Sequence, residues 1–306
     1  MQNWTTQNIP SLKGKTIIVT GGNSGLGFEA VKALAEKGAQ VVLACRNLDK
    51  GVKAKNEILS LYLQAKIEVM ELDLMDISSI RSFVAKFKNE HAKLDVLINN
   101  AGIMMVPYGL TKDGFEQQIG TNHLGHFALT GLLLDLLRKT PKSRVVNVSS
   151  IAHKQGVMDY SNLLYSNGVG YSPMKAYGRS KLCNLLFTYQ LQQYFETHNI
   201  DSIAVTAHPG VSDTNLFSHM GAKWLMNVLR PLLMFMIQPA NMGALPELRA
   251  AVDSQVKGGE YYGPDGKREM KGYPVIVDST LAAKDKVSAR MLWEASEKLT
   301  GIVYPV

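Results

Sequence analysis

Cysteines are scarce in this chain, which has only two among its 306 residues. Cys45 and Cys183 both lie in apolar stretches, so we expect no disulfide framework and a reducing compartment, with the cytoplasm as the default. Long hydrophobic runs are lacking too, because the most apolar segment, residues 224–237, is short and interrupted by Arg230 and Pro231. The first residues lack the basic region and apolar run of a signal peptide. Neither export nor a membrane span is therefore expected.

Blocks of like charge, internal repeats and Pro/Gly-rich linkers are lacking as well. The net charge of +7 comes from scattered lysines and arginines. This pattern gives little support to nucleic-acid binding but is compatible with an anionic cofactor or substrate. With 46% hydrophobic and 19% charged residues, the composition is that of a globular protein with a substantial core. No boundary stands out, so residues 1–306 are expected to form one domain.

Short apolar or β-branched runs alternate along the chain with longer segments of helical periodicity. The predicted strands lie at residues 16–20, 40–45, 66–72, 95–99, 144–149 and 202–207. The predicted helices include residues 28–37, 77–90, 116–139 and 173–197. Nearly continuous apolar strands are typical of sheets covered on both faces. The pattern predicts an α/β fold with a doubly wound parallel sheet, a Rossmann fold of three α/β/α layers, whose ligands bind at the carboxyl ends of the strands.

A glycine-rich turn, "TGGNSGLG" over residues 20–27, follows the first predicted strand. Gly21 permits the tight turn, Gly25 lets the backbone approach a pyrophosphate, and Gly27 allows close packing of helix on strand. The N-terminus of the next helix adds N–H groups and a positive dipole. A plain glycine-rich hairpin is the alternative. The turn is predicted to bind a dinucleotide through Gly21, Asn23, Ser24, Gly25, Leu26 and Gly27.

The second predicted strand ends in "LACRN", where dinucleotide-binding folds meet the adenosine ribose. An acidic residue there would hydrogen-bond the 2′-hydroxyl of NAD, but this chain has Cys45, Arg46 and Asn47. Arg46 is suited to pair with a 2′-phosphate, and no carboxylate stands there to repel it. The sequence therefore favours NADP (NADPH) over NAD, with a solvated loop arginine as the alternative.

Two further strand ends carry candidate cofactor contacts. Asp73 in "LDLMD" is suited to accept a hydrogen bond from the adenine amino group, or else to cap the helix that starts near Ile77. In "NNAG", Ala101 and Gly102 let the backbone lie close to the ribose. The asparagines of that motif have a structural alternative, which is to tie neighbouring strands together. The expected contacts are Asp73, Leu74, Asn100, Ala101 and Gly102.

A tyrosine and a lysine stand four residues apart in "YGRSK", residues 177–181. In a helix they share one face, where a half-buried ring beneath a solvated ammonium is the ordinary outcome. Ser172 and Pro173 are typical of an N-cap and a first helical residue, which places the pair near the positive end of the helix. The motif alone does not establish catalysis.

Five motifs, "TGGNSGLG", "NNAG", "NVSS", "YGRSK" and "HPG", occur in the order and approximate spacing of the classical short-chain dehydrogenase/reductase family. The chain resembles that family over almost its whole length. It is most similar to the retinol-dehydrogenase-like branch, which includes WW-domain-oxidoreductase-like proteins, through "LACRN", "TNHLGHFALTGLLLDLL", "YGRSKLCNLLF", "HPGVSDTNL" and "GGEYYGP". The resemblance implies an NAD(P)-dependent oxidoreductase with a catalytic tetrad of Asn, Ser, Tyr and Lys.

The family's tetrad is carried over where its motifs match. Tyr177 and Lys181 match the YxxxK element, and Asn122 in "TNHLGHF" matches the helix asparagine. In "NVSS" the family's usual alignment selects Ser150 and leaves Ser149 as its neighbour. The resemblance thus implies the catalytic residues Asn122, Ser150, Tyr177 and Lys181.

The stretch around the tyrosine departs from common members of the family. Residues 151–176 separate the serine from the tyrosine, a longer insertion that is familiar in retinol-dehydrogenase-like proteins and leaves the loop geometry open. Residues 178–180, inside the YxxxK element, are expected to act as spacers.

The resemblance assigns acid/base chemistry to Tyr177. An unperturbed tyrosine titrates at about 10, so its tyrosinate must be favoured for it to act as a base at neutral pH. The Lys181 ammonium, about 5 Å away, would favour the tyrosinate by roughly 3 kcal/mol at an effective dielectric near 20, and would hold the nicotinamide ribose. Ser150 would donate to the substrate oxygen. Asn122 would complete a water-mediated proton path, or else brace a kink in its helix.

The sixth predicted strand ends in "HPG", beside the expected position of the nicotinamide. The proline and glycine turn the chain, and the backbone of Val211 and the hydroxyl of Thr214 are suited to bind the carboxamide. The expected cofactor contacts here are Pro209, Val211 and Thr214.

Two histidines, His123 and His126, lie three residues apart on a predicted helix. No third ligand is indicated, so we expect neither a metal site nor a catalytic histidine.

Residues 212–240 are predicted to form a helical lid over the substrate, as the family resemblance implies. Met220, Trp224 and their apolar neighbours suggest a lipophilic substrate. The alternatives for the apolar residues 216–237 are ordinary core, a dimer contact or, as a third, a peripheral membrane surface; substrate lining is slightly favoured over them.

The function predicted from the sequence is that of an NADP-dependent oxidoreductase. It would interconvert a small lipophilic ketone or aldehyde and its alcohol, with Tyr177 as general acid/base. A non-catalytic NADP-binding sensor or scaffold of the same fold is the alternative. A homo-oligomer is compatible with the sequence, and nucleic acid is not an expected partner.

Overall fold

One eight-stranded sheet organises the computed structural model, which describes residues 3–212 and 237–305. Its strands are β1 (Thr16–Thr20), β2 (Gln40–Cys45), β3 (Lys66–Glu71), β4 (Val96–Asn99), β5 (Ser143–Val148), β6 (Ser202–Ala207), β7 (Tyr261–Pro264) and β8 (Pro274–Ile276). They lie in the order β3-β2-β1-β4-β5-β6-β7-β8, and all pairings are parallel except the last, between β7 and β8. The order reverses between β1 and β4, where sheets of this kind bind ligands.

The six strands predicted from the sequence are confirmed. β1, β2 and β6 have the predicted bounds, whereas β3, β4 and β5 differ by a single residue at one or both ends. The short strands β7 and β8 were not predicted. Their sequences, "YYGP" and "PVI", contain proline or glycine, which strands generally disfavour.

Helices cover both faces of the sheet and complete the predicted three layers. The residues of β1 show why its sequence is continuously apolar: Ile17 and Val19 pack into the core on one face, and Ile18 packs into the core on the other. The helices are α1 (Gly25–Glu36), α2 (Leu48–Leu61), α3 (Ile77–Glu90), α4 (Gln117–Ile119), α5 (Gly125–Leu132), α6 (Leu134–Lys139), α7 (Pro173–Thr197), α8 (Ala240–Gly243), α9 (Leu245–Val252) and α10 (Lys286–Thr300). Helices α1, α2 and α9 lie on the first face, and α3, α5 and α7 on the second.

The helix predicted over residues 116–139 is wrong as a single element. It is divided into α4, a π-helical turn (Gly120–Leu124), α5 and α6. The π turn contains Asn122, whose Oδ1 accepts the Ile103 N–H (2.8 Å) and whose Nδ2 donates to the Ile103 carbonyl oxygen (2.9 Å). A wider turn of this kind disturbs the helical period only locally, so hydrophobic periodicity does not reveal it.

The other helices differ in how closely they follow the prediction. Helix α7 has the predicted bounds, and its N-cap is Ser172 with Pro173 at the first position. Helix α1 begins at Gly25, within the glycine turn, three residues before the predicted Phe28. None of the helices in the described parts of the chain has the length and apolar content needed to cross a bilayer.

Candidate active site

A cavity of about 510 Å³ lies at the carboxyl ends of the parallel strands. The turns that follow β1 to β6 and the first turns of α7 form its walls. Thr214 and most of the predicted lid, including Met220 and Trp224, lie outside the described residues. Every other residue that the sequence assigned to the cofactor lines this cavity, namely Gly21, Asn23, Ser24, Gly25, Leu26, Gly27, Arg46, Asp73, Leu74, Asn100, Ala101, Gly102, Tyr177, Lys181, Pro209 and Val211.

The glycine turn leaves no room for side chains at its critical positions. Gly21 and Gly25 adopt left-handed φ angles of +67° and +55°, which favour glycine. A Cβ on Gly27 would lie 2.5 Å from both the Gly21 carbonyl oxygen and Nδ2 of Asn100. The turn therefore keeps backbone exposed at the N-terminus of α1, as binding of a pyrophosphate requires.

The asparagines of "NNAG" have the structural contacts that were the alternative to cofactor binding. Nδ2 of Asn99 donates to Oδ1 of Asn147 (2.8 Å), which ties β4 to β5. Nδ2 of Asn100 donates to the Thr20 carbonyl oxygen (2.7 Å), and its N–H donates to the Thr20 hydroxyl (2.9 Å). These bonds hold the turn after β4 against the end of β1, where Ala101 and Gly102 face the cavity.

Arg46 lies at the exposed end of β2, on the rim of the cavity. Its Nη1 is 3.8 Å from the sulfur of Met75. No carboxylate of residues 3–212 or 237–305 forms an ion pair with the Arg46 guanidinium, so that group is free to meet an anion at this end of the cavity.

Asp73 lines the cavity and does not cap α3. Its Oδ1 accepts the N–H of Met75 (3.0 Å). The cap is Asp76, whose Oδ1 accepts the N–H groups of Ser78 (2.8 Å) and Ser79 (3.4 Å). The capping alternative for Asp73 is therefore wrong, because the helix begins one residue after Asp76.

Three of the four tetrad residues meet at one end of the cavity. Ser150 lines the cavity beside Tyr177 and acts to lower the pKa of its hydroxyl. The Lys181 ammonium lies 5.7 Å from the centroid of the Tyr177 ring and donates to the Val148 carbonyl oxygen (3.0 Å). Ser149 instead donates to the Lys181 carbonyl oxygen (2.8 Å). Of the two serines, the one assigned from the family alignment is thus the one that meets the tyrosine.

The expected stabilisation of a Tyr177 tyrosinate is not seen in this arrangement. Burial raises the pKa of Tyr177 to about 12, with the hydrogen bond from Ser150 acting in the opposite direction. Burial also lowers the pKa of Lys181 to about 8. Removal of both groups from water outweighs the attraction between their charges. Tyr177 is therefore a protonated phenol at neutral pH, which suits it to donate a proton.

Glu247, in α9, is a buried acid that the sequence reasoning missed. Neither of its carboxyl oxygens has a hydrogen-bond partner among the described residues. Burial raises the pKa of Glu247 to about 8, and the charge of Lys181 acts in the opposite direction. The only sequence signal was an acidic residue inside the apolar run "GALPELRAAV".

Replacing Glu247 with glutamine should make folding stability less dependent on pH. The pKa of this carboxyl is about 8 in the folded protein against an ordinary value of 4.5, so the stability it contributes below pH 4.5 is lost as the pH rises to about 8. Glutamine has no such loss. From pH 5 to pH 8, the free energy of unfolding of the wild type should fall relative to that of the variant by roughly 3–4 kcal/mol, about 1.4 kcal/mol for each pH unit. Glu57→Gln, at an exposed site, is the control; a shift of equal size in both variants would contradict the expectation.

Asn122 is placed beside the catalytic group without lining the cavity. Besides Ile103, its Nδ2 donates to the Ser180 hydroxyl (2.9 Å). A Cβ on Gly102 would lie 3.1 Å from Oδ1 of Asn122 and 3.5 Å from Nζ of Lys181, so these two groups face the same point. The contacts show the bracing role of Asn122, and the proton path through it stays a prediction.

The two helix histidines are hydrogen-bonded in the core. Nε2 of His123 lies 2.8 Å from the Ser296 hydroxyl, and Nε2 of His126 lies 2.9 Å from that of Thr20. Burial lowers the pKa of His123 to about 3 and that of His126 to about 4. Both imidazoles are therefore neutral at physiological pH.

The backbone of Val211 is already paired within the protein, contrary to its expected role toward a carboxamide. Its N–H donates to the Met270 carbonyl oxygen (2.7 Å), and its carbonyl oxygen accepts the N–H of Gln238 (2.9 Å). Val211 nevertheless lines the cavity together with Pro209. The turn after β6 thus forms a wall of the site.

Arg179 is more than a spacer between the tyrosine and the lysine. Its guanidinium donates to the carbonyl oxygens of Val157 (2.9 Å), Asn162 (2.8 Å) and Leu163 (3.0 Å), and lies 4.1 Å from the centroid of the Tyr165 ring. The insertion between the serine and the tyrosine is thus fastened to the helix that carries Tyr177 and Lys181.

The other two presumed spacers also have contacts of their own. A Cβ on Gly178 would lie 3.0 Å from the Ala152 carbonyl oxygen, so only a small residue fits against the start of the insertion. The hydroxyl of Ser180 accepts from Asn122. The spacer prediction for residues 178–180 is therefore wrong.

Comparison with known proteins identifies the family. Residues 15–223 match the short chain dehydrogenase family. Retinol dehydrogenase 13 of Homo sapiens is 37% identical over 300 residues, covering 96% of this chain and 87% of that protein. Retinol dehydrogenase 12 of Mus musculus is 40% identical over 299 residues, covering 97% of this chain and 89% of that protein.

Solved structures agree with this assignment. An uncharacterized protein of Mycobacterium paratuberculosis superposes with a TM-score of 0.83 at 41% identity, covering 100% of both chains. The RhlG/NADP complex of Pseudomonas aeruginosa, at 21% identity and a TM-score of 0.65, covers 82% of this chain and 94% of that one and shares the fold. The chain therefore belongs to the short-chain dehydrogenase family, as an NAD(P)-dependent oxidoreductase of its retinol-dehydrogenase-like branch.

Proposed function

We propose that the protein is an NADP-dependent oxidoreductase that interconverts a lipophilic ketone or aldehyde and its alcohol, with Tyr177 as general acid/base. The observation that carries the proposal is that Tyr177, Ser150 and Lys181 line the same cavity as the glycine turn. A dinucleotide held by its pyrophosphate at the turn would place its nicotinamide toward these three side chains.

Three residues of the chain have different roles in carbonyl reduction. NADPH, when bound, supplies the hydride that reaches the carbonyl carbon. Tyr177, with its pKa of about 12, donates the proton that the carbonyl oxygen takes up. Ser150 donates a hydrogen bond to the same oxygen while negative charge develops there. Lys181, held by the Val148 carbonyl, places its positive charge beside the phenol as that group loses its proton.

The preference for NADP rests on Arg46. The guanidinium lies on the cavity rim after β2, where the adenosine ribose is expected. A 2′-phosphate would form a charge-assisted hydrogen bond with it, whereas the 2′-hydroxyl of NAD offers no such charge.

Replacing Arg46 with aspartate should weaken the binding of NADPH by about 10- to 100-fold, because an attraction becomes a repulsion. The binding of NADH should change far less. Fluorescence titration with each dinucleotide measures both constants. Lys50→Asp makes the same charge change at an exposed position in α2, away from the cavity, and serves as the control. If Arg46→Asp lowered the affinities for NADPH and NADH equally, Arg46 would not be the residue that selects NADP.

A lipophilic substrate is supported by two observations. The cavity near Tyr177 is lined by the apolar side chains of Ile103, Met104, Ile151 and Met174. Two of the similar proteins, retinol dehydrogenases 13 and 12, are named for retinol, a lipophilic alcohol. We extend that substrate class, though not retinol itself, to this chain.

Turnover with a panel of lipophilic aldehydes and ketones tests the proposal directly. The loss of NADPH absorbance should depend on the carbonyl compound and should be faster with long apolar substrates than with short ones. NADPH binding without turnover of any compound would favour the rival function, a non-catalytic NADP-binding sensor or scaffold.

We also propose the cytoplasm as the place of action. The two cysteines, Cys45 and Cys183, are both buried and unpaired, as is usual in a reducing compartment.

A further inference from the structure

His208, at the carboxyl end of β6, is fully buried behind the wall of the cavity. Its Nδ1 accepts the N–H of Gly210 (3.2 Å). Its Nε2 lies 3.1 Å from Oε2 of Glu269, in the loop that follows β7; this is within ion-pair distance, although neither atom has a hydrogen-bond partner among the described residues. The imidazole thus connects a backbone group of the cavity wall to a carboxylate.

These two contacts determine the tautomer of His208. Because Nδ1 accepts a hydrogen bond, it carries no proton, and the proton of the neutral ring lies on Nε2. Nε2 is also the ring nitrogen that lies beside the Glu269 carboxylate. Burial lowers the pKa of His208, and the contact with His208 lowers that of Glu269 to about 2. A neutral imidazole beside a carboxylate is the state that fits both contacts at neutral pH.

The turn that His208 supports is tightly constrained. Gly210 has a left-handed φ of +64°, and the Met270 carbonyl leaves no space there for a Cβ. Met270 also accepts the N–H of Val211 (2.7 Å). On the other side of the contact, Arg268 and Glu269 hold φ angles of +56° and +58°, which cost energy in residues other than glycine. Strained backbone on the Glu269 side therefore brings the carboxylate to the imidazole.

We propose that Glu269 is a positioning residue for the nicotinamide end of the cofactor site. It holds His208 in the tautomer that accepts the Gly210 N–H, and so fixes the turn formed by Pro209, Gly210 and Val211 that walls the cavity. The inference rests on the proposed function, because that function places the nicotinamide against this turn.

The other contacts of Glu269 offer a control. Its Oε1 also pairs with Lys154 at 3.1 Å, but the Lys154 side chain is 40% exposed, and exposed ion pairs contribute little. Among the described residues, the other titratable groups around the imidazole are His153 and Tyr261. If Glu269 only stabilised the fold through its ion pair with Lys154, loss of Lys154 would have the same effect as loss of Glu269. The positioning role instead requires only the contact between Glu269 and His208.

The test compares two probes, NADPH and adenosine 2′,5′-bisphosphate, which lacks the nicotinamide half. Glu269→Leu should weaken NADPH binding about tenfold, because the buried imidazole loses the carboxylate beside its Nε2, and should leave the binding of the bisphosphate unchanged. Glu269→Gln keeps an oxygen acceptor and should recover most of the affinity. Lys154→Met should bind both probes as the wild type does. Equal weakening of both probes by Glu269→Leu, or weakening by Lys154→Met of the same size, would overturn the proposal.

A second pair of variants does not depend on the folding of Glu269→Leu. In His208→Asn, the Oδ1 atom can take the place of Nδ1 and accept the Gly210 N–H, whereas His208→Leu has no acceptor. NADPH binding should be nearly preserved in His208→Asn and about tenfold weaker in His208→Leu. Similar losses in both variants would overturn the proposal. Failure of the wild type itself to bind NADPH would instead refute the proposed function.

Discussion

Replacing Tyr177 with phenylalanine should slow carbonyl reduction by about 10²- to 10⁴-fold, the usual contribution of a general acid. The tyrosine is buried, and it lines the cavity together with Ser150. Phenylalanine fills nearly the same space, so the cavity and the binding of NADPH should remain. Single-turnover measurements with NADPH and an aldehyde separate the chemical step from binding.

The control for this change is Tyr160→Phe. Tyr160 also has a buried hydroxyl, which donates to the Ser288 carbonyl oxygen at 2.5 Å, but it does not line the cavity. Its replacement should reduce stability without changing the chemical step. If Tyr177→Phe retained more than about a tenth of the wild-type rate, another group would have to supply the proton.

Replacing Lys181 with methionine should slow the chemical step by about 100-fold, the equivalent of roughly 3 kcal/mol of lost attraction to the developing tyrosinate. Methionine keeps most of the volume and removes the charge. Folding stability should rise or stay level, because the variant no longer buries an ammonium with a single hydrogen bond to Val148. Lys175→Met makes the same change at an exposed position in α7 and should leave both quantities unaltered.

The pH profile gives Lys181 a second signature. Because the pKa of Lys181 is about 8, its side chain is positively charged below pH 8 and loses that charge as the pH rises. The wild-type rate of the chemical step should therefore fall above about pH 8. The rate of the chemical step in the Lys181→Met variant should stay constant above pH 8. A decrease of equal size in both proteins would assign the titration to another group.

The strands and the cofactor site were predictable because their signals are local. A buried parallel strand such as β1 is apolar on both faces, and this shows in five consecutive residues. The glycine turn follows this strand directly. The start of α7 is indicated by Ser172 as N-cap and Pro173 at the first helical position. Since parallel strands bring their carboxyl ends to one edge, the residues after each strand were expected at one site, and they line one cavity.

The features that escaped prediction depend on contacts between distant parts of the chain. The π turn around Asn122 exists beside a partner, Ile103, from another loop. Glu247 reads as an ordinary helix-surface acid until α9 is packed against the sheet. Likewise, nothing in "HPG" indicates that His208 meets Glu269, which lies 61 residues later in the sequence.

The spacing of Tyr177 and Lys181 also could not show whether burial or the attraction between their charges has the larger effect on their pKa values. Four residues of separation give the distance between Tyr177 and Lys181, and hence their attraction. The cost of removing both from water depends on the whole surrounding fold. Burial proved the larger effect, since the pKa of the phenol is raised and that of the ammonium is lowered.

The anchoring of the insertion by Arg179 places an evolutionary constraint on the loop. A relative with a shorter loop would lack the carbonyl oxygens of Val157, Asn162 and Leu163, and an arginine at this position would be left buried with nothing to bind. We therefore expect loop length and the residue two places after Tyr177 to change together. Chimeras that exchange the loop alone should fold poorly, and those that also exchange this residue should be rescued.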